Sequence, residues 1–185
     1  MAQPRITPMS VATTEIDGLL VVTVKAVTDE RGTVREFYRQ TSWLAAGLPD
    51  LGPWTQLNVT ESHQGTVRGL HGEAMTKLVG IVAGEAFAAY VDTRTDSPSY
   101  RKVVTTTLRP GTQVLVPRGV CNGFQSVSDG VTQYLYSFDA EWRPGMAGVA
   151  LNPLDAELNI PWPLPIDVDS RRQISEKDAN GPAPR

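Results

Sequence analysis

Glycine and proline punctuate this chain throughout: thirty of its 185 residues are one or the other, and no single linker gathers them. Between them lie short runs rich in β-branched and aromatic residues: GLLVVTVKAV (18–27), WTQLNVT (54–60), KLVGIVAGEAFAAYVD (77–92), RKVVTTTL (101–108), TQVLVP (112–117), NGFQSV (122–127) and VTQYLYSF (131–138). Turn signals such as RPGT, SDG and RPG separate them. Strands spaced this evenly predict an antiparallel sandwich or barrel. One stretch, TSWLAAGLP (41–49), reads as a helix, opened by Thr41 or Ser42 as a cap and stopped by Gly47 and Pro49. The segment LNPLDAELNIPWPLPIDVDS (151–170) is broken up by prolines and reads as irregular, anchored by Trp162. The tail 178–185 is expected to fray, being rich in Pro, Gly and Asn. The fold expected is all-β, a jelly roll in one domain over 1–185.

Composition narrows the function classes. A net charge of −3 and a pI near 5.4 give no reason to expect nucleic acid, whose binding needs clustered Lys and Arg. The strongest basic cluster, Arg171-Arg172, reads as a solvated pair near the end of the chain. Cys121 is the sole cysteine, so no internal disulfide forms, which suits a reducing compartment. The start, MAQPRITPMSVATTEIDG, lacks an apolar stretch preceded by basic residues, and no run approaches the about 18 apolar residues of a membrane span. The expected location is cytoplasmic, away from membranes.

Arg68, His71 and Lys77 lie along VRGLHGEAMTKLVGIVAGE (67–85), otherwise the lining of a sheet. Charge buried there is costly unless it is paired or used. The two histidines, His63 and His71, show neither H-x-H nor H-x-x-x-H spacing, so no metal is expected. Phosphate loops and Gly-x-Ser-x-Gly elbows are missing, and Cys121 reads as a small buried hydrophobe. Proton transfer remains. His71 is the natural general base, histidine being the residue type suited to taking and returning a proton. Lys77, among apolar neighbours, either reaches the surface or meets an anion. Tyr134 and Tyr136, two apart, point to one face of a sheet. Taken singly, each has a structural explanation: a packed histidine, an edge lysine, a core aromatic pair.

Together they carry a resemblance. D-x-R-G-x-x-x-E (Asp29, Arg31, Gly32, Glu36), Q-x-N (Gln56, Asn58), G-x-V-R-G-L-H (Gly65 to His71), T-K-L-V, V-D-x-R-x-x-S-P (Val91 to Pro98), V-P-R-G-V-x-N-G-F (Val116 to Phe124), W-P (Trp162, Pro163) and S-x-K-D (Ser175, Lys177, Asp178) follow in order. From about residue 16 to residue 178, this pattern resembles the dTDP-4-dehydrorhamnose 3,5-epimerase family. The resemblance implies a cupin-type jelly roll, a homodimer, no metal or organic cofactor, and a dTDP-linked 4-keto-6-deoxyhexose as substrate. It implies the base in His71, the carboxylate that orients it in Asp178, and the cation at the enolate oxygen in Lys77. The acid is implied in Tyr136, with Tyr134 the less favoured choice. Arg31 and Arg68 match positions that hold the diphosphate. Glu36, Gln56, Asn58 and Asn122 fall at further substrate-contacting positions.

Three departures accompany the match. Asn122 stands where most members have histidine, Ala88 where an aspartate is usual, and GEAMT replaces a longer loop after His71. The first two positions are expected to be partners, since losing one alone would strand a buried carboxylate. All three lie at the sugar end. The implied activity is epimerisation at C3, C5 or both. The alternatives are a mono-epimerase of unusual deoxysugars, a ketoisomerase cupin, which would show more clustered histidines, and a non-catalytic nucleotide-sugar-binding cupin, which would lack the base or acid.

Overall fold

The computed structural model describes residues 3–50 and 52–182. The chain opens with β1 (Arg5–Thr7), β2 (Ser10–Thr13), β3 (Leu20–Thr23), β4 (Ala26–Asp29) and β5 (Gly32–Arg35), followed by the short helix α1 (Gln40–Ala45). Eight longer strands come next: β6 (Gln56–His63), β7 (Val67–Glu73), β8 (Lys77–Ala83), β9 (Ala86–Asp92), β10 (Val103–Leu108), β11 (Thr112–Val116), β12 (Val120–Ser126) and β13 (Val131–Phe138). The strand β14 (Gly148–Ala150) and the one-turn helix α2 (Glu176–Ala179) close the chain.

Two sheets face one another as a jelly roll, the expected architecture. One has the order β10-β9-β12-β7-β14, the other β2-β3-β11-β8-β13-β6; a small third sheet, β1-β4-β5, stands apart. Every pairing is antiparallel. Alternation along the strands builds the layers. On β8, Val79 and Ile81 point between the sheets, where they meet Tyr90, Phe124 and Tyr134. Leu78 points the other way, onto Trp43 of α1 and Leu48. A buried side chain of this size contributes about 1.5–3 kcal/mol. The turn from β8 to β9 runs through Gly84 at φ +83, where a Cβ would sit 2.8 Å from the Val131 carbonyl oxygen.

Trp162 anchors the irregular segment as its composition implied. Its indole donates to the Pro153 carbonyl at 2.8 Å, and Leu151 and Leu158 cover Leu70, Val91 and Cys121 on the outer face of the five-stranded sheet. Three expectations are corrected. The run 18–27 splits into β3 and β4, which join different sheets. The N-cap of α1 is Arg39, without a side-chain cap bond; Thr41 and Ser42 lie inside the helix, and the Ser42 hydroxyl instead donates to Glu36. The tail is clamped as far as Pro182, whose carbonyl accepts from the Asn152 amide at 3.0 Å, and Asp178 is buried. Residues 183–185 of that tail lie outside the described residues. Among the described residues no helix is long and apolar enough to cross a membrane.

Candidate active site

The R-G-L-H stretch forms β7, and its glycine is dictated by packing. Gly69, at φ +118, passes β12 so closely that a Cβ would lie 2.5 Å from the Gly123 Cα and 2.8 Å from the Asn122 oxygen. The β7–β12 register slips between Asn122 and Phe124 at this crossing. Leu70 therefore turns outward into the Leu151–Leu158 layer. Arg68, His71 and Glu73 line the mouth of the barrel with Lys77 of β8, Asn122 of β12, and Tyr136 and Phe138 of β13. The cleft encloses about 310 Å³, including space open to solvent.

His71 Nε2 and Asp178 Oδ1 are 2.8 Å apart. Asp178 is fixed by α2: its amide donates to the Ser175 hydroxyl at 3.1 Å, a side-chain N-cap. Burial pushes the Asp178 carboxyl up, but the His71 bond and charge outweigh it and hold it below the ordinary carboxylate range. A carboxylate accepting from Nε2–H places the imidazole lone pair on Nδ1, the arrangement of a histidine base with its orienting acid.

Lys77 is buried, 3% exposed, and it meets an anion. Its ammonium donates to Glu73, to the His71 carbonyl at 3.0 Å and to Asn122 Oδ1 at 2.7 Å. Tyr136 sits opposite Asn58 in the β13–β6 ladder, with Tyr134 at 4.8 Å and Phe138 at 5.8 Å between ring centroids. Burial pushes the Tyr136 phenol up to about 12, the Arg68 charge partly opposing it. It is therefore protonated at neutral pH and equipped to donate. Tyr134 is fully buried and stacked on Phe124 at 4.2 Å, so only Tyr136 of the pair reaches the cleft.

Arg68 donates to the Ser62 hydroxyl at 2.9 Å and faces two depressions. The second adjoins the first and is lined by His63, Arg68, Arg171, Arg172, Ser175 and Asp178 among others. The arginine pair 171–172, read from sequence as a solvated pair, is exposed as expected and stands at the rim of this second depression, which Glu61 and Asp178 also line.

The other expected residues fall into two groups. Gln56 and Asn58 lie on the same face of β6, Asn58 opposite Tyr136, bonded to each other at 3.2 Å, with Gln56 also accepting from the Trp142 amide at 2.7 Å, but neither lines either depression. Arg31 and Glu36 do not reach either depression within one chain. Arg31 is exposed at the β4–β5 turn, paired with Asp29 at 2.7 Å, and Glu36 pairs with Arg39 beside α1. Asn122 lies opposite Tyr90, and Ala88, two residues along β9, is packed in the barrel core. Glu73 was missed; its i,i+4 spacing to Lys77 within the shortened loop was the available signal.

A family model described as dTDP-4-dehydrorhamnose 3,5-epimerase matches residues 13–184. The chain belongs to the dTDP-4-dehydrorhamnose 3,5-epimerase family. It is 32% identical over 179 residues to a dTDP-4-dehydrorhamnose 3,5-epimerase of Shigella flexneri, covering 94% of each chain. It is also 32% identical to a dTDP-4-dehydro-6-deoxyglucose 3-epimerase of Streptomyces bikiniensis, over 83% of this chain and 78% of that one. A dTDP-6-deoxy-D-glucose-3,5-epimerase of Legionella pneumophila, solved in complex with dTDP-4-keto-L-rhamnose, superposes with a TM-score of 0.82 at 31% identity, over 94% of this chain and 92% of that one.

Proposed function

We propose that the chain is a cofactor-independent epimerase of a dTDP-linked 4-dehydro-6-deoxyhexose, acting at the carbons that flank the C4 ketone. The observation that carries the reading is the convergence of His71, Lys77 and Tyr136 on one cleft. A hydrogen on C3 or C5 is acidified by the ketone. His71 takes it on Nδ1, and Asp178 steadies the imidazolium. The electron pair moves onto the C4 oxygen, where Lys77 supplies positive charge in a partly dry site; such stabilisation is worth about 3–4 kcal/mol. Tyr136 returns a proton to the opposite face of the carbon, which inverts it, and solvent resets both groups. Arg68, with Arg171 and Arg172 on the adjoining rim, faces the diphosphate, and Gln56 and Asn58 flank the sugar end.

Arg31 and Glu36 fit the same reading in a homodimer, where the β4–β5 turn of one copy meets the cleft of the other. Exposed apolar residues on the elements concerned favour it: Ile6 and Val34 on the small sheet, 64% and 75% exposed, and Leu57 and Val59 on the edge strand β6. Sedimentation equilibrium tests it, a monomer being the contrary result.

Incubation with dTDP-4-dehydro-6-deoxyglucose in deuterated water decides the activity. Label is expected at C3, C5 or both, and none at either carbon removes the reading. A narrower form, inversion of one carbon, is favoured by Asn122, which lines the cleft where most members have histidine, and by the likeness to a 3-epimerase; Ala88, in the barrel core, does not reach the cleft. Label confined to one carbon identifies it.

A further inference from the structure

Glu73 has no role in the mechanism above, yet its carboxylate lies inside the cleft against Lys77. An ammonium has three N–H groups and no more. All three of Lys77 are taken, by Glu73, the His71 carbonyl and Asn122 Oδ1. A substrate oxygen that is to be held by Lys77 must therefore displace one of them. The His71 carbonyl is main chain, fixed by the pairing of β7 with β12 and β14. Asn122 is 5% exposed and locked in β12. Glu73 is the remaining candidate: its side chain is 24% exposed at the cleft, so its carboxylate can leave for water while its backbone stays paired to Gly148.

We infer that Glu73 is an internal stand-in for the enolate oxygen: it occupies the third N–H of Lys77 in the empty site, and the C4 oxygen of the substrate takes its place. The inference rests on the proposed function and adds a specificity-determining residue to it. Electrostatics supports the exchange. Burial pushes the Glu73 carboxyl up, but the charge and hydrogen bond of Lys77 outweigh this and hold it below the ordinary range, so an anion fills the position. Around it stand His71 on its own strand, Cys121 on β12, Tyr136 on β13 and Arg68 at the cleft, with Asp178 behind His71 in the adjoining depression. A carboxylate competes well against a neutral ketone and poorly against a full enolate. Displacing Glu73 costs the bound ketone and the enolate the same amount, so the contact tunes how tightly the 4-keto sugar is held rather than the height of the chemical barrier.

The test compares wild type with Glu73→Gln and Glu73→Ala, using dTDP, which has no oxygen at Lys77, and the 4-keto sugar. Relieving the competition should lower KM for the ketone by about tenfold or more in both variants, the equivalent of one charged hydrogen bond. Calorimetric affinity for dTDP should stay within about twofold. A KM that is unchanged or raised while dTDP binding holds overturns this inference alone; a raised KM with a lower kcat makes Glu73 a scaffold for Lys77. Failure of wild type to bind dTDP removes the functional reading and this one with it.

Discussion

Two buried carboxylates, Asp92 and Asp178, lie in the same jelly roll and do different work. Asp92 is fully buried at the end of β9. It accepts from Arg94 Nε and Nη2, both at 2.8 Å, from the Ser97 and Ser99 hydroxyls, both at 2.6 Å, and from the Arg94 amide at 3.0 Å. Arg94 also donates to the Asp17 carbonyl at 2.7 Å, tying the cluster to the chain before β3. Asp178 instead faces a histidine, a group that changes charge near neutrality, beside an open cleft. One site is closed, with every acceptor filled by a partner of fixed charge. The other leaves a base that can take a proton. The V-D-x-R-x-x-S-P block, as much a part of the resemblance as R-G-L-H, is on this showing a structural latch.

Replacing one residue from each region should break the molecule in opposite ways. His71→Ala is expected to slow deuterium incorporation by roughly 10²–10⁴-fold. Its stability cost, from leaving Asp178 without the imidazole, is about 1–3 kcal/mol by urea denaturation. Asp92→Asn should do the reverse, losing about 3–5 kcal/mol of stability because it strands the Arg94 guanidinium. The fraction that remains folded should still turn over substrate. A loss of exchange in folded Asp92→Asn protein, or an inert His71→Ala change, would erase the contrast.

A smaller effect sharpens it. Asp178→Asn keeps the shape but removes the charge that holds the imidazolium. About 1.5–3 kcal/mol of barrier, or roughly ten- to 150-fold in kcat, is expected to go, with little change in KM. Combined with His71→Ala it should cost almost nothing more, since the two act as a unit. Additive losses in the double variant would show that Asp178 acts on substrate independently of His71.

What the amino-acid order disclosed, and what it hid, follows the same division. Strand β13, VTQYLYSF, was readable because burial on one face leaves a two-residue pattern, and β8, KLVGIVA, buried on both faces over its first five residues, because it is a continuous apolar run between turn signals. The three- and four-residue strands β1, β2, β5 and β14 are too short and too exposed to leave one. Helix α2 is a single turn, held by Ser175 and by the Asp178–His71 contact across 107 residues of sequence, and local signals do not reach that far. For the site, residue types and family order singled out His71, Lys77, Tyr136, Arg68 and Asp178, and the fold brings them to one mouth. Glu73 escaped because a carboxylate next to a short loop looks like any solvated surface charge until Lys77 is seen to be buried. Arg31 and Glu36 match the pattern while lying outside the cleft of their own chain.

The smallest effect concerns pH, and its sign follows from the two carboxylates. Burial pushes Asp92 up, but the Arg94, Ser97 and Ser99 bonds outweigh it and hold the native carboxyl far below its ordinary value. Asp178 is held low as well, by His71, with more water nearby. A carboxyl whose native pKa is depressed stabilises the fold fully above its unfolded value, about 3.9 for Asp, and loses that contribution as pH falls toward the native value. The wild-type urea midpoint, as far as these groups set it, should therefore be level from neutrality to about pH 4 and decline below it. Asp92→Asn should flatten that decline, because its amide has no proton to gain, whereas Asp178→Asn should leave most of it. Measured at a series of pH values between about 2 and 7, equal acid slopes for wild type and Asp92→Asn would mean that the closed cluster is not where the acid sensitivity resides.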